Sequence, residues 1–266
     1  MYNLYMTAQI CVLASGSKGN CTYISDGTTH LLIDAGISCR RIEQELSALG
    51  QSLSNITAIL VTHEHIDHVY GLHTLEKKYS IPILANQRTA TSVDVKMSTH
   101  ISRYCRASFD TGFSVGGIKI TPFRTLHDAV CSVGYALEVG GHRVAYVTDL
   151  GTVTESVRQN VLGSELVILE SNHDVHMLET GPYPPELQAR VRGDQGHLNN
   201  VQSASFACEL VSHGATHIVL AHISENNNTP ELALKTSRSI LRKKGIDKEV
   251  ALVAAGASCA TKLIQL

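Results

Sequence analysis

The chain reads as an α/β protein in which two mixed β-sheets pack face to face with helices on the outside. Three observations predict this. Extended and helical segments are mixed along all 266 residues. They fall into two halves of similar grammar, about 1–130 and 131–266, each a meander followed by strand–helix units, and two such sheets bury themselves by stacking under helical layers. Hydrophobic residues make up 43% of the chain, enough for that core. No linker, low-complexity segment or short repeat divides it, so one domain over 1–266 is expected.

The elements follow in order. Ile10 to Leu13 is an apolar strand, and Ser15 to Asn20 is a turn. Cys21 to Ile24 resumes extended chain, Asp26-Gly27 signals a hairpin, and Leu31 to Ile33 is a buried strand ending at Asp34. Ser38 caps an amphipathic helix that runs to Leu49 and stops at Gly50. Ile56 to Val61 is a strand and Val69 to Tyr79 a helix, followed by a short strand and helix. From about residue 104 strands return. Ile118 to Phe123 alternates, Ser132 to Val139 and Arg143 to Val147 flank the Gly140-Gly141 turn, and Leu166 to Leu169 is a buried run. Helix signals fill 153–162, 200–213 and 230–244, with strands at Ile218 to Ala221 and Val250 to Val253.

Composition excludes several classes. Lysine plus arginine is 22 against 24 acidic residues, so no global basic excess points to nucleic acid, and any such contact must come from a local patch. Low hydrophobicity with high net charge would mark disorder, and neither holds. The seven cysteines, Cys11, Cys21, Cys39, Cys105, Cys131, Cys208 and Cys259, include no C-x-x-C pair. They read as reduced thiols of a cytoplasmic protein, not as a disulfide framework or thiolate zinc site. Met1 to Gln9 lacks the basic and apolar regions of a signal peptide, and no run of about 18 apolar residues spans a membrane. Either Met1 or Met6 fits as the initiator, the latter leaving Met1 to Tyr5 as an extension.

Fourteen histidines are the unusual feature. Thr62-His63-Glu64-His65-Ile66-Asp67-His68 directly follows an apolar strand and precedes a helix. In nearly extended chain, positions i and i+2 share a face, so His63 and His65 can ligate one ion. Asp67 and His68 come where the chain turns into the helix and can face a second. Imidazoles with a carboxylate suit zinc, and also manganese or iron.

These residues resemble the H-x-H-x-D-H motif of the metallo-β-lactamase superfamily. The other motifs of that family find matches in order: Asp34 in Leu-Leu-Ile-Asp-Ala-Gly, His127 in Thr-Leu-His-Asp-Ala, Asp149 in Val-Thr-Asp-Leu-Gly, and His222 in Val-Leu-Ala-His-Ile-Ser. The segments Ala14 to Asn20, Glu170 to Asp174, Gly196 to Asn200 and Ala221 to Asn227 resemble the YycJ/WalJ branch over nearly the whole chain, with Asn199 standing where serine is expected. The resemblance implies a four-layer αββα sandwich, a cytoplasmic location and 5′-to-3′ exonuclease action on DNA.

It also implies roles. His63, His65 and His127 would hold one divalent ion, zinc or manganese with iron as a third option, and Asp67, His68 and His222 a second. Asp149 would bridge them, and two such cations can share a hydroxide that attacks phosphorus. Asp67 belongs among the catalytic groups as well as the ligands. Asp34 would accept a ring N–H from a ligand histidine and fix its tautomer. His173 and His197 are candidates for protonating the leaving oxygen. Ser17, Asn20 and Asn199, with Arg190 and Arg192 for charge, are the expected phosphate contacts. Arg40-Arg41, Lys77-Lys78 and Arg242-Lys243-Lys244 read as solvated helix faces, and His30, His73, His100, His142, His176, His213 and His217 as structural or solvent-facing. Two alternatives stay open from sequence: a hydrolase of small esters, thioesters, lactones or phosphodiesters on the same fold, and a metal-binding regulatory or redox protein without turnover. His65 stands where flavodi-iron-type redox sites carry glutamate, which disfavours the redox variant. The oligomeric state is not legible.

Overall fold

The computed structural model describes residues 7–98, 100–101, 104–105 and 111–266. The chain opens with the antiparallel strands β1 (Gln9–Ala14), β2 (Cys21–Ser25) and β3 (His30–Ile33), then α1 (Cys39–Ala48). The Ser38 hydroxyl caps α1 by accepting from the Arg41 amide, and Ile42 and Leu46, one turn apart, are its buried stripe. β4 (Ala58–Leu60) runs parallel to β3. The helix expected from Val69 to Tyr79 is two helices, α2 (Ile66–Val69) and α3 (Leu72–Tyr79). They part at Gly71, whose amide donates to Ala35 O at 2.7 Å. A side chain there would lie 2.5 Å from Ile37 O, so the chain packs too closely for any other residue. β5 (Ile83–Leu84), α4 (Gln87–Lys96) and β6 (Tyr104–Cys105) complete this stretch.

A second sheet follows: β7 (Phe113–Val115), β8 (Ile118–Arg124), β9 (Val133–Val139) and β10 (His142–Val147) are antiparallel, then α5 (Glu155–Val161) leads to β11 (Leu166–Glu170). α6 (Val175–Thr180) and α7 (Pro185–Arg192), which carry no helix signal in the sequence, precede α8 (Asn200–Ser212), β12 (His217–Ala221), α9 (Pro230–Lys243) and β13 (Ala251–Ala254). The last strand, β14 (Ile264–Gln265), returns to pair with β1. The sheet orders are β14-β1-β2-β3-β4-β5-β6 and β13-β12-β11-β10-β9-β8-β7. The chain changes sheet between Cys105 and Phe113, upstream of the boundary near 130 that the sequence suggests between its halves.

Both faces of each sheet are covered, which is why the central strands read as continuous apolar runs. Alternate residues split between layers. Ile10, Val12, Ile24, Leu31, Ile33 and Leu60 pack against Tyr135, Leu137, Val144, Tyr146 and Ile168 between the sheets. Cys11, Leu13, Tyr23, Leu32 and Ile59 face the α1 and α3 residues Ile42, Leu46, Leu72 and Leu75. Val147, Val167, Leu169, Ile218 and Leu220 face Val157, Phe206, Leu210 and Leu241 on the other side. Cys11, Cys21, Cys39 and Cys131 are buried free thiols, Cys208 is half-buried and Cys259 exposed; the side chain of Cys105, and Met1 to Met6, lie outside the described residues. No helix among the described residues is long and apolar enough to cross a membrane.

One edge collects the functional segments. β3 and β4 are parallel, as are β10, β11 and β12, and β8 shares the direction of β10 because both are antiparallel to β9. Their C-terminal ends therefore open together, where ligands of such sheets bind.

Candidate metal centre

Three strand ends in this edge turn through the left-handed region: Asp34 just after β3 (φ 60°), Asp149 after β10 (φ 59°) and His222 just after β12 (φ 52°). Side-chain-bearing residues pay for that conformation, and its recurrence at one place marks a site. Aspartate and histidine tolerate it better than β-branched residues do.

The first cluster comes from two loops. His63 and His65 follow β4, and His127 follows β8; their ligand nitrogens lie within 4.8 Å of one another. His127 Nε2 is 3.3 Å from His65 Nδ1, while His127 Nδ1 donates to Gly196 O at 3.2 Å, leaving Nε2 turned to the cluster. Glu64, between the two histidines, is buried and accepts the Val130 amide at 2.9 Å, tying the His127 loop to the motif. All three imidazoles titrate below the ordinary range. Burial is the chief cause for each, followed by neighbouring imidazoles for His63 and His65. For His127, burial outweighs the pull of the Asp149 carboxylate.

The second cluster is Asp67, His68 and His222. Asn20 and Gly36 hold the motif loop down: the Asn20 amide donates to Asp67 O at 2.8 Å, and a Cβ on Gly36 would lie 1.5 Å from that carbonyl oxygen. His68 Nε2 is 3.3 Å from Asp67 Oδ2, and His222 Nε2 is 3.5 Å from the same oxygen. His68 Nδ1 donates to Asp34 Oδ2 at 2.7 Å, and Asp34 is itself fixed by the Thr62 amide and hydroxyl. Burial opposes charge on His68, but the carboxylates of Asp67, Asp149 and Asp34 outweigh it and push its pKa well up. For His222, Asp149, Asp67 and Glu170 likewise overcome burial and push it up to about 10. Asp67 is held well below the usual carboxylate range: burial is outweighed by His68 and His222.

Asp149 faces both clusters. Its Oδ1 is 3.5 Å from His222 Nε2 and 3.7 Å from His127 Nε2, and its Oδ2 is 3.5 Å from His68 Nε2. Asp149 Oδ2 and His63 Nε2 are buried without a hydrogen-bond partner among the described residues. Orphaned buried donors and acceptors are costly, and here they converge with imidazoles and carboxylates, which is the donor set of a divalent-metal site.

Glu170, at the end of β11, is the residue that sequence reasoning missed. Fully buried, its Oε1 accepts from His222 Nδ1 and His197 Nδ1, each at 2.9 Å, and from the Asp149 amide at 3.1 Å. Its Oε2 accepts the Leu198 and Leu150 amides. Burial opposes its charge, but His197 and His222 hold it well below the usual carboxylate range. The Glu170 to Asp174 segment did signal it, as an acid closing an otherwise apolar strand.

The remaining candidates divide. His197 stands beside the clusters, its Nδ1 3.9 Å from Asp149 Oδ1. Ser17, Arg190 and His197 line a cleft there with Asp128, Tyr183 and Ser224. Four others are not part of that cleft lining. His173 is 1% exposed, and neither ring nitrogen has a hydrogen-bond partner among the described residues; burial lowers its pKa to about 4, so it is uncharged near neutrality. Asn20 is buried, its amide committed to Gly16 and to Asp67 Oδ2. Asn199 is the N-cap of α8, closing a capping box with Gln202. Arg192 pairs with Glu179 at 3.0 Å, away from the cleft lining.

Comparisons with known proteins agree with this geometry. Residues 29–223 match the family described as Beta-lactamase superfamily domain. The chain is 34% identical over 242 residues to the exodeoxyribonuclease YycJ of Bacillus anthracis, covering 90% of this chain and 91% of that one. It is 33% identical to the exodeoxyribonuclease WalJ of Streptococcus pneumoniae over 228 residues, 85% of each chain. The crystal structure of the metallo-β-lactamase fold protein YhfI from Bacillus subtilis superposes with a TM-score of 0.72 at 17% identity, covering 96% of this chain and 98% of that one. Sequence, fold and donor arrangement thus place the chain in the metallo-β-lactamase superfamily, within the branch of the YycJ and WalJ proteins.

Proposed function

We propose that this chain is a dinuclear-metal phosphodiesterase, an exonuclease acting on DNA in the 5′-to-3′ direction, working in the cytoplasm as one domain over 1–266. The single observation that carries the dinuclear reading is Asp149, whose Oδ1 stands between the clusters, 3.7 Å from His127 Nε2 of the first and 3.5 Å from His222 Nε2 of the second, while its Oδ2 lies 3.5 Å from His68 Nε2. In this reading His63, His65 and His127 hold one cation, Asp67, His68 and His222 the other, and Asp149 both. Zinc or manganese fits the donors, with iron as the third option. When bound, such a pair of cations lowers the pKa of water toward neutrality and neutralises phosphoryl oxygens.

The protein's own groups do the rest. Asp34 and Glu170 fix the tautomers of His68 and His222 by accepting a hydrogen bond from each Nδ1–H, so each Nε2 faces the cations. Asp67 is held ionised by His68 and His222, as a ligand must be. His197 is the general acid: its Nδ1 donates to Glu170, which orients the ring, and Nε2 is left to face the leaving oxygen. His173, neutral and enclosed, is not assigned that role. Ser17 and Arg190, which both line the cleft, are the phosphate contacts. The DNA assignment is supported by the relatives named exodeoxyribonucleases, which match nine-tenths of the chain or nearly so.

The test is a substrate panel: 5′-phosphorylated DNA, RNA and small esters, each with zinc and with manganese. DNA hydrolysis that falls steeply with salt is expected, because phosphate contacts release counterions. Rapid turnover of a small ester with DNA untouched would replace the nuclease by a small-molecule hydrolase on the same fold.

A further inference from the structure

The cleft beside the donor clusters contains an arrangement that metal ligation and proton transfer do not use. It is small, about 140 Å³, well under the ~300–1,000 Å³ of pockets for drug-sized ligands. That suits one compact group rather than a length of strand. α7 contributes Leu187, Arg190 and Val191 to the lining, which also includes Ser17, Ser224 and His197. Arg190 is the one lysine or arginine among the described residues of this lining, and its Nε is paired with Asp128 Oδ2.

Asp128 is an odd neighbour for a phosphate cleft. It adds a negative charge where an anion must enter. Its Oδ1 points back to the first cluster, 3.3 Å from His127 Nε2, and is buried without a hydrogen-bond partner among the described residues. Its backbone is anchored, since the Asp128 amide donates to Gln195 O at 3.0 Å, so only the side chain is free to turn. The pair it makes with Arg190 is partly open to water, with the arginine side chain 57% and the aspartate 27% exposed. Ion pairs so exposed contribute little. A phosphomonoester dianion offers the same guanidinium two oxygens at once and more charge.

We propose that Asp128 is a placeholder: it holds Arg190 in the free protein, and the terminal phosphate of a nucleic-acid strand takes the guanidinium from it. The cleft thereby selects strand ends that carry a phosphate over ends that carry a hydroxyl. The anion that fits is a phosphomonoester, because an internal phosphodiester has one charge and cannot enter a pocket of this size without its flanking sugars. This inference rests on the phosphodiesterase reading above and adds to it the group that the site recognises.

The experiment uses the metal-loaded protein on DNA oligonucleotides with 5′-phosphate and 5′-hydroxyl ends, and on bis(4-nitrophenyl) phosphate, which has no phosphate end. Wild type should prefer the phosphorylated end by about tenfold in kcat/KM, the scale of one lost charge-assisted hydrogen bond. Arg190→Ala should erase that preference by raising KM for the phosphorylated strand. Asp128→Asn, which keeps the size and removes the charge, should lower that KM by about twofold to fivefold, with metal content unchanged. In the Arg190→Ala background it should do nothing. Equal rates on the two ends would overturn the proposal. So would an Asp128→Asn effect that persists without Arg190, or a loss of metal in Asp128→Asn. Wild type that cleaves bis(4-nitrophenyl) phosphate and DNA without regard to the end defeats the placeholder alone. Wild type that cleaves neither defeats the phosphodiesterase reading itself.

Discussion

The two donor clusters lie side by side yet are prepared for a cation in different ways. His63, His65 and His127 are three imidazoles whose pKa values are pushed down, chiefly by burial. They are neutral at pH 7 and have no proton to surrender. His68 and His222 sit among Asp67, Asp149, Asp34 and Glu170, which push them up, His222 to about 10. Without metal, these two carry protons that balance the carboxylates. One cluster is organised by desolvation, the other by charge compensation in which a proton occupies the role of the cation. Metal entry is therefore a simple addition at the first cluster and an exchange at the second.

Asp149 belongs to both, so its loss is the largest effect expected. Asp149→Ala should reduce hydrolysis to the level of the metal-free protein and lower the content of both cations. Circular dichroism should be unchanged, since no core contact depends on that carboxylate. Activity near wild type would place the site elsewhere. Glu170→Gln separates the clusters. Glu170 supports His222 and His197 but touches none of the first three histidines. A loss of about 10- to 100-fold in activity or in affinity for one cation is expected, with the other retained in elemental analysis. Equal loss of both cations would mean that the clusters do not behave as separate units.

Two of the three donors of each cluster were legible because H-x-H-x-D-H is contiguous: spacing alone puts His63 and His65 on one face. His127, Asp149 and His222 come from three separate strand ends, and only the family resemblance identified them in the sequence. The stacked sheets were legible for a different reason, since buried strands read as apolar runs and the turns carry Gly, Asp and Ser. Glu170 shows in the sequence only as an acid closing an apolar strand, and that does not tell a carboxylate that accepts five bonds from one that is solvated. α6 and α7 were missed for a related reason: each buries a single side chain, Leu178 or Val191, too little to write a periodic pattern. Asn20 and Asn199 have the residue type of a phosphate contact, but their groups are committed to Gly16 and Asp67 in one case and to a helix cap in the other. A sequence shows what a side chain can bond, not what reaches it first.

The protonation difference has its own test. Adding zinc to chelated protein at pH 7, in buffers of different ionisation enthalpy, should release about one to two protons for the second cluster and close to none for the first. The sign for stability follows from the same group. His222 has a folded pKa near 10, above the unfolded value of about 6.5. Its contribution is fully present below pH ~6.5 and is lost as pH rises through about 10. The metal-free protein should thus lose thermal stability between pH 7 and 10, and the metal-loaded protein should not. A metal-free Tm that is flat over that window would show that the second cluster is not held together by protons.

The smallest effect expected lies beneath the first cluster. Tyr135 on β9 is fully buried, and its hydroxyl donates across the sheets to Val61 O at 2.7 Å, two residues before His63. Burial pushes that phenol well above its ordinary range, so it keeps its proton and remains a donor near neutrality. Tyr135→Phe leaves the ring packed among the residues between the sheets and removes only the oxygen. A buried carbonyl that loses its donor costs about 1–3 kcal/mol, or a fall in Tm of about 2–4 °C per kcal/mol for a chain near this size. If desolvation and packing organise the first cluster, as the low pKa values of its histidines indicate, the hydroxyl anchors the strand end without setting the ligands. The variant should then melt earlier while binding its first cation with less than about a tenfold change in affinity. A larger loss of that cation, with the second unaffected, would show that this one hydrogen bond between the sheets positions His63, and that the first cluster too depends on a specific polar contact.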